Sequence, residues 1–173
     1  PIAESSITLK GGMLLDPAGK IGTGALMARL MNEGTKQRTP VELREAIEDL
    51  GASLSISGGD DAITLSGSCL SSKLPQVFAL AHEMMFEPRW DEKEFENAKV
   101  QAVENVKRSE TSLTTIGSSV FDKLVYGPDN ILANSSTGTV KSLQAITLDD
   151  LKRYYAANFS PSVFTPVITG MAI

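Results

Sequence analysis

Residues 16–35 carry the sequence DPAGKIGTGALMARLMNEGT, which predicts a turn followed by a buried helix. Residues 16–19 combine Asp, Pro and Gly, a composition typical of a turn. Residues 21–32 place Ile, Leu and Met at helical spacing, with small Gly and Ala residues on another face. Gly34 follows the last apolar residue, where glycine commonly ends a helix. We therefore expect a helix that packs closely into the interior.

The segments on either side of this helix have the character of strands. Residues 7–15 are β-branched at their start and predict a strand with a bulge or close approach at Gly11-Gly12. Residues 52–58 and 62–70 alternate around a Gly-Gly-Asp-Asp turn, which predicts a hairpin. A last β-branched strand is predicted over residues 163–173.

Further helices lie between these strands in the predicted order. Thr39-Pro40 followed by Glu42 is typical of a helix start, and Gly51 is placed to end that helix. Amphipathic or capped stretches predict helices over 73–86, 91–110, 113–125 and 147–158. This order indicates an α+β fold in which helices cover a mainly antiparallel β-sheet.

Composition and charge restrict the class of protein. The chain has 173 residues, of which 42% are hydrophobic and 21% charged, as in an ordinary globular domain. Its net charge of −5 argues against a nucleic-acid partner, which requires clustered Lys and Arg. No apolar run approaches the ~20 residues that span a membrane, so no membrane partner is expected. Because the chain begins at Pro1, we expect residues 1–173 to be a single domain excised from a larger protein.

The rarest residues exclude several catalytic sites. The chain has one cysteine, Cys69, and one histidine, His82, whereas a Cys/His zinc site needs three or four such ligands. The motif H-E-x-x-H fails at its last position, which is Phe86. We expect His82 to be a helix-surface residue, Cys69 to be buried and Asp60-Asp61 to form a turn. A Cys69–His82 nucleophilic pair is the alternative that these residues leave open.

Residues 16–35 resemble the opening helix of the insulinase and mitochondrial-processing-peptidase group of zinc peptidases, the inverzincins with the motif H-x-x-E-H. In that family a Gly precedes the motif and Gly-Thr follows it, as Gly22 and Gly34-Thr35 do here. Later stretches follow the family pattern in the same order: 39–43, 50–54, 87–90, 91–110, 126–127, 148–155 and 167–170. The resemblance covers nearly the whole chain and implies the LuxS/mitochondrial-processing-peptidase-like metallohydrolase fold.

The positions that carry the family's chemistry have changed in this chain. Alignment on Gly22 places the two zinc histidines at Ala25 and Arg29 and the catalytic Glu at Ala28. The family's third zinc ligand is a Glu roughly 75 residues after the second His. The resemblance places it at Asn105, 76 residues after Arg29. These residues offer methyl groups, a permanent cation and a neutral amide. We therefore expect this domain to have no catalytic and no metal-binding residues.

By this resemblance, the chain is expected to be an inactive domain of a zinc peptidase. Such a domain would pack against an active homologous domain or subunit and form one wall of a chamber for unfolded peptide. Zinc is expected only in the active partner, with no cofactor in this domain. The residues also leave open an assembly or scaffold module unrelated to proteolysis, or an active metallopeptidase with a rearranged site. The resemblance favours the bacterial periplasm, with the cytoplasm as the alternative.

Overall fold

The β-sheet of the protein is antiparallel throughout. The structure is a computed structural model that describes residues 2–128, 130–160 and 164–170. Within these residues the sheet has the order β2-β3-β1-β4, and every neighbouring pair is antiparallel, which confirms the predicted sheet type. The strands are β1 (Ile2–Lys10), β2 (Ser53–Gly58), β3 (Ala62–Leu70) and β4 (Phe164–Gly170).

The strand register separates an apolar face from a hydroxyl-bearing face. Leu65 of β3 lies opposite Ile7 of β1 on one side and Ile56 of β2 on the other, so these residues share the buried face. The opposite face carries mostly Ser and Thr, at positions 6, 8, 53, 55, 57, 64, 66, 68, 165 and 169. The alternation of apolar and polar residues along the strands therefore directs the helices to one face.

All of the predicted helices are present, and the apolar residues of all but the helix over Leu113–Tyr126 form one core with the buried face of the sheet. The helices are α1 (Thr23–Met31), α2 (Pro40–Asp49), α3 (Leu74–Phe86), α4 (Glu92–Ser109), α5 (Leu113–Tyr126), α6 (Val140–Ala145) and α7 (Leu148–Asn158). Helix α6 was not predicted from the sequence. No helix in the described ranges is both long enough and apolar enough to cross a bilayer.

The predicted strand over residues 7–15 is wrong at both ends. Strand β1 starts at Ile2 and stops at Lys10, and Gly12–Leu15 form a 3₁₀ turn. Gly12 has φ 74°, and a Cβ at this position would lie 2.4 Å from the carbonyl oxygen of Gly59. The close approach expected at Gly11-Gly12 is therefore present, but the strand ends there and forms no β-bulge. Of the predicted last strand, residue 163 and residues 171–173 lie outside the described residues.

The side chain of Asn32 joins the end of α1 to the edge strand β2. Its amide nitrogen donates to the carbonyl oxygens of Ala28 and Ile56, both at 2.8 Å. Its amide oxygen accepts the backbone N–H of Ile56 at 2.9 Å. The pair of bonds to Ile56 imitates a neighbouring strand and satisfies backbone groups at the edge of the sheet.

We expect Asn32→Ala to destabilise the protein by about 1–3 kcal/mol, because it leaves the backbone groups of Ile56 without their partners. Urea denaturation measures this loss, and the amide of Ile56 should exchange its hydrogen faster. The matched control is Asn97→Ala, whose exposed side chain bonds only to Glu94 in the described structure. Equal stability of the two variants would contradict the role assigned to Asn32.

Candidate functional site

A cavity of about 430 Å³ opens between α1, β2 and α4. Its walls are mostly apolar, with polar side chains around them. This volume lies within the range of roughly 300–1,000 Å³ that is usual for small-molecule sites. The residues that line it are Gly22, Ala25, Leu26, Arg29, Asn32, Ile56, Ser57, Gly58, Ala102, Asn105, Val106, Ser109, Thr137 and Leu143.

The start of α1 is held in place by Asp16. The carboxylate of Asp16 accepts the backbone N–H groups of Gly22 at 2.6 Å and Gly24 at 2.8 Å. These N–H groups lie at the helix N-terminus, where they have no partner within the helix. Burial raises the pKa of Asp16 to about 6, although the hydrogen bonds from Gly24 and Gly22 oppose this rise.

Close contact between α1 and β2 forms one side of the cavity. A Cβ at Gly58 would lie 2.8 Å from the Cα of Ala25, so the two backbones can approach only because residue 58 is glycine. The Ser142 hydroxyl of α6 donates to the carbonyl oxygen of Ile21 at 2.7 Å. These contacts fix the helix that carries Ala25 and Arg29.

The structure brings three of the four predicted positions together. Ala25 and Arg29 lie one turn apart on α1, Asn105 lies on α4, and all three line the cavity. Ala28 does not line it, because its side chain is fully buried in the core. That these positions correspond to the family's zinc ligands and catalytic base stays a prediction.

The guanidinium of Arg29 donates a hydrogen bond to the Oε1 atom of Gln101 on α4. Within the part of the chain that the structure describes, Arg29 makes no ion pair with a carboxylate. Gln101 was not singled out from the sequence. Its position one helical turn before Asn105 is the signal that could have found it.

The residues of this cavity do not fit a zinc ion. Its lining contains no His, Cys, Asp or Glu among the described residues, and Arg29 places a permanent positive charge in it. The described residues also contain no cluster of three or more such side chains elsewhere. The chain has one histidine, whereas H-x-x-E-H requires two, so this chain cannot form the motif and is peptidase-like without being a zinc peptidase of that type.

The other reactive side chains considered, those of His82, Cys69 and Glu83, lie in surroundings that indicate structural roles. His82 is exposed on α3 and packs on Phe86, with ring centroids 4.8 Å apart, and Cys69 is buried, as predicted for both. The neighbouring Glu83 is buried, accepts a hydrogen bond from Thr35 and accepts another from Arg38 at 3.2 Å. This carboxylate therefore joins α3 to the segment that follows α1 and is not free for catalysis.

Known proteins resemble the chain in both sequence and fold. It is 24% identical over 170 residues to the non-peptidase homolog YmxG of Helicobacter pylori, covering 98% of this chain and 39% of that protein. It is 21% identical over 141 residues to an uncharacterized zinc protease of Streptomyces coelicolor, covering 82% of this chain and 30% of that protein. The chain thus spans about two fifths or less of these relatives.

A solved structure shows the same fold. The inactive domain of a peptidase M16 from Pseudomonas fluorescens superposes with a TM-score of 0.88 at 21% identity, covering 97% of this chain and 41% of that one. This similarity confirms the predicted α+β metallohydrolase fold. The sequence model of the insulinase family, peptidase family M16, matches residues 1–125. The chain therefore belongs to the insulinase family.

Proposed function

We propose that this chain is a catalytically inactive insulinase-family domain that packs against an active homologous domain or subunit and forms one wall of a peptide-binding chamber. The observation that carries the proposal is the lining of the cavity beside Arg29. Where the resemblance places three zinc ligands, the cavity offers a methyl group, a guanidinium and a carboxamide. Without a metal, the domain has no Lewis acid for a peptide carbonyl and no water of lowered pKa.

The length of its relatives supports a neighbouring domain. The proteins that match the chain are more than twice as long as the matched segment. One of them is named a non-peptidase homolog and another a zinc protease, so the family holds members of both descriptions. A domain without catalytic chemistry can then serve by shaping a shared cavity.

The exposed face of α5 supports the same proposal. No residue of this helix is buried, although it carries large apolar side chains on one face. Leu113 is 86% exposed, Phe121 64% and Leu124 80%. Contiguous exposed apolar surface of this kind usually marks an interaction site, and a neighbouring domain is the partner that we propose for it.

The purified chain is expected to retain no stoichiometric zinc and to leave an unstructured, fluorescence-quenched peptide uncut, with or without added Zn²⁺. The H-x-x-E-H domain or subunit encoded with it should bind the chain. The mixture should cleave faster than that partner alone, and EDTA should abolish the cleavage. Analytical ultracentrifugation measures the association and fluorescence measures the cleavage.

A matched pair of variants tests the surface that associates. Leu124→Glu places a charge on the exposed face of α5 and should weaken the complex, whereas Val41→Glu on α2, at a site 58% exposed, should not. EDTA-sensitive cleavage by the chain alone would overturn the proposal. So would a partner that cleaves equally well by itself and forms no complex with the chain.

A further inference from the structure

We propose that the cavity beside Arg29 binds the C-terminal carboxylate of a peptide whose last residue is apolar. This inference deepens the proposed function and rests on it in one respect: the cavity must hold no zinc. Among the described residues that line the cavity, Arg29 is the only one with a charge. A site with a single cation and apolar walls selects an anion with an apolar group attached to it.

Arg29 has hydrogen-bond donors to spare. A guanidinium carries five N–H donors in a fixed plane, which matches the two oxygens of a carboxylate. Among the described residues, Arg29 donates a hydrogen bond through its Nη2 atom to Gln101. The Gln101 amide therefore orients the guanidinium and leaves other N–H groups for a ligand. Since Arg29 is half-buried, a carboxylate beside it is less screened by water than it would be on an open surface.

The facing residues leave room for this carboxylate and can hold it. Ala25, one turn before Arg29, contributes only a methyl group to the cavity. Asn105 lies across from them on α4, and its side-chain amide has no hydrogen bond to another described residue. An amide N–H at this position can donate to the second carboxylate oxygen or to the preceding peptide carbonyl.

The remaining walls suit an apolar side chain. Leu26, Ile56, Val106 and Leu143 come from four different elements and line the same cavity. The cavity has about 430 Å³, which is enough for one side chain together with its carboxylate. An internal peptide bond carries no charge for Arg29 to recognise, whereas a C-terminal apolar residue presents both features side by side.

The test uses the whole chain and a matched pair of probes. The first is a dansyl-labelled Ala-Ala-Ala-Leu peptide with a free C-terminal carboxylate, and the second is the same peptide as the C-terminal amide. Fluorescence anisotropy should show the acid binding roughly tenfold or more tighter than the amide. Arg29→Gln should remove this preference, while Arg44→Gln, on the exposed surface of α2, should keep it.

Circular dichroism of each variant shows that it is folded, and Arg29→Lys, which keeps the cation, should retain part of the preference. Equal binding of acid and amide, or no binding of either, would overturn the inference. Hexanoate binding as tightly as the peptide acid would overturn the assignment to a peptide. Zinc analysis of the same sample separates the two proposals. Stoichiometric zinc would refute the proposed function, whereas zinc-free protein without acid preference would refute only the carboxylate site.

Discussion

Placing the family's ligands into the cavity, with Ala25→His, Arg29→His and Asn105→Glu, is expected to give a chain that holds about one Zn²⁺. The native residues 25 and 29 lie one turn apart on α1 and line the cavity together with Asn105 of α4. Two imidazoles and a carboxylate on these positions supply the three protein ligands of a peptidase-type zinc site. The native chain should retain none after desalting, and metal analysis by mass spectrometry measures the difference.

The double variant Ala25→His with Arg29→His is the matched control. It keeps the native Glu104, which lies one residue before position 105 and bonds to Lys107 at 3.0 Å. One residue along a helix turns a side chain by about 100°, so Glu104 cannot replace a ligand at position 105. The double variant should therefore bind zinc more weakly than the triple variant. A folded triple variant without zinc would show that the three positions are not those of the family's ligands.

Ala28 is left unchanged in this design because its surroundings differ from those of its neighbours. It is fully buried and belongs to the core. A Glu at this position would bring a carboxylate into an apolar environment, at a cost that depends on whether it finds a partner. The triple variant therefore tests metal binding alone, and it is not required to cleave a peptide bond.

The elements predicted well from the sequence are those with strong local signals. The capping box of α2 at Thr39 and Glu42 is present as expected, and the hairpin of β2 and β3 lies where its Gly-Gly-Asp-Asp turn predicted it. Helix α6 was not predicted, because it is only six residues long and follows a polar stretch. Its capping box uses Ser142 in place of the usual Glu or Gln, so the start signal was not recognised.

The contacts that shape the site could be predicted only in part. The family resemblance pointed to Ala25, Arg29 and Asn105, and the structure places them along one cavity. The bonds of Asn32 to Ile56 join residues 24 apart, and no local pattern signals such a contact. The polar contacts that hold the scaffold thus depend on tertiary packing, whereas the positions along the cavity were predicted from the family resemblance.

Replacing Asp150 by Asn is expected to destabilise the protein by about 2–4 kcal/mol, because a buried carboxylate loses its charge beside a cation. Asp150 is 3% exposed and accepts hydrogen bonds from Lys20 at 2.5 Å and from the Thr147 backbone N–H at 2.9 Å. Arg153 also donates to it. The loss corresponds to a decrease in Tm of roughly 4–16 °C for a chain of this size.

The pH dependence of the protein's stability is a second measurement that tests the role of Asp150. Burial would by itself raise the pKa of Asp150, but the hydrogen bonds from Lys20, Thr147 and Arg153 outweigh it and hold this pKa well below the usual 3.8. Its contribution is therefore complete above pH 3.8 and is lost as the pH falls below that value. The contribution of Asp16 to stability depends on pH in the opposite direction. Its pKa is raised from 3.8 to about 6, so its contribution is lost as the pH rises through 6.

Urea denaturation between pH 2 and pH 8 should therefore separate the two carboxylates. Asp150→Asn should flatten the loss of stability in acid, and Asp16→Asn should flatten the decline between about pH 4 and pH 7. The matched control is Asp149→Asn, because the side chain of Asp149 is 82% exposed and its Oδ1 atom lies 3.8 Å from the Nζ atom of Lys152. This exposed pair should contribute less than about 1 kcal/mol. If Asp150→Asn had the same stability as Asp149→Asn at every pH, the contact between Lys20 and Asp150 would not stabilise the protein.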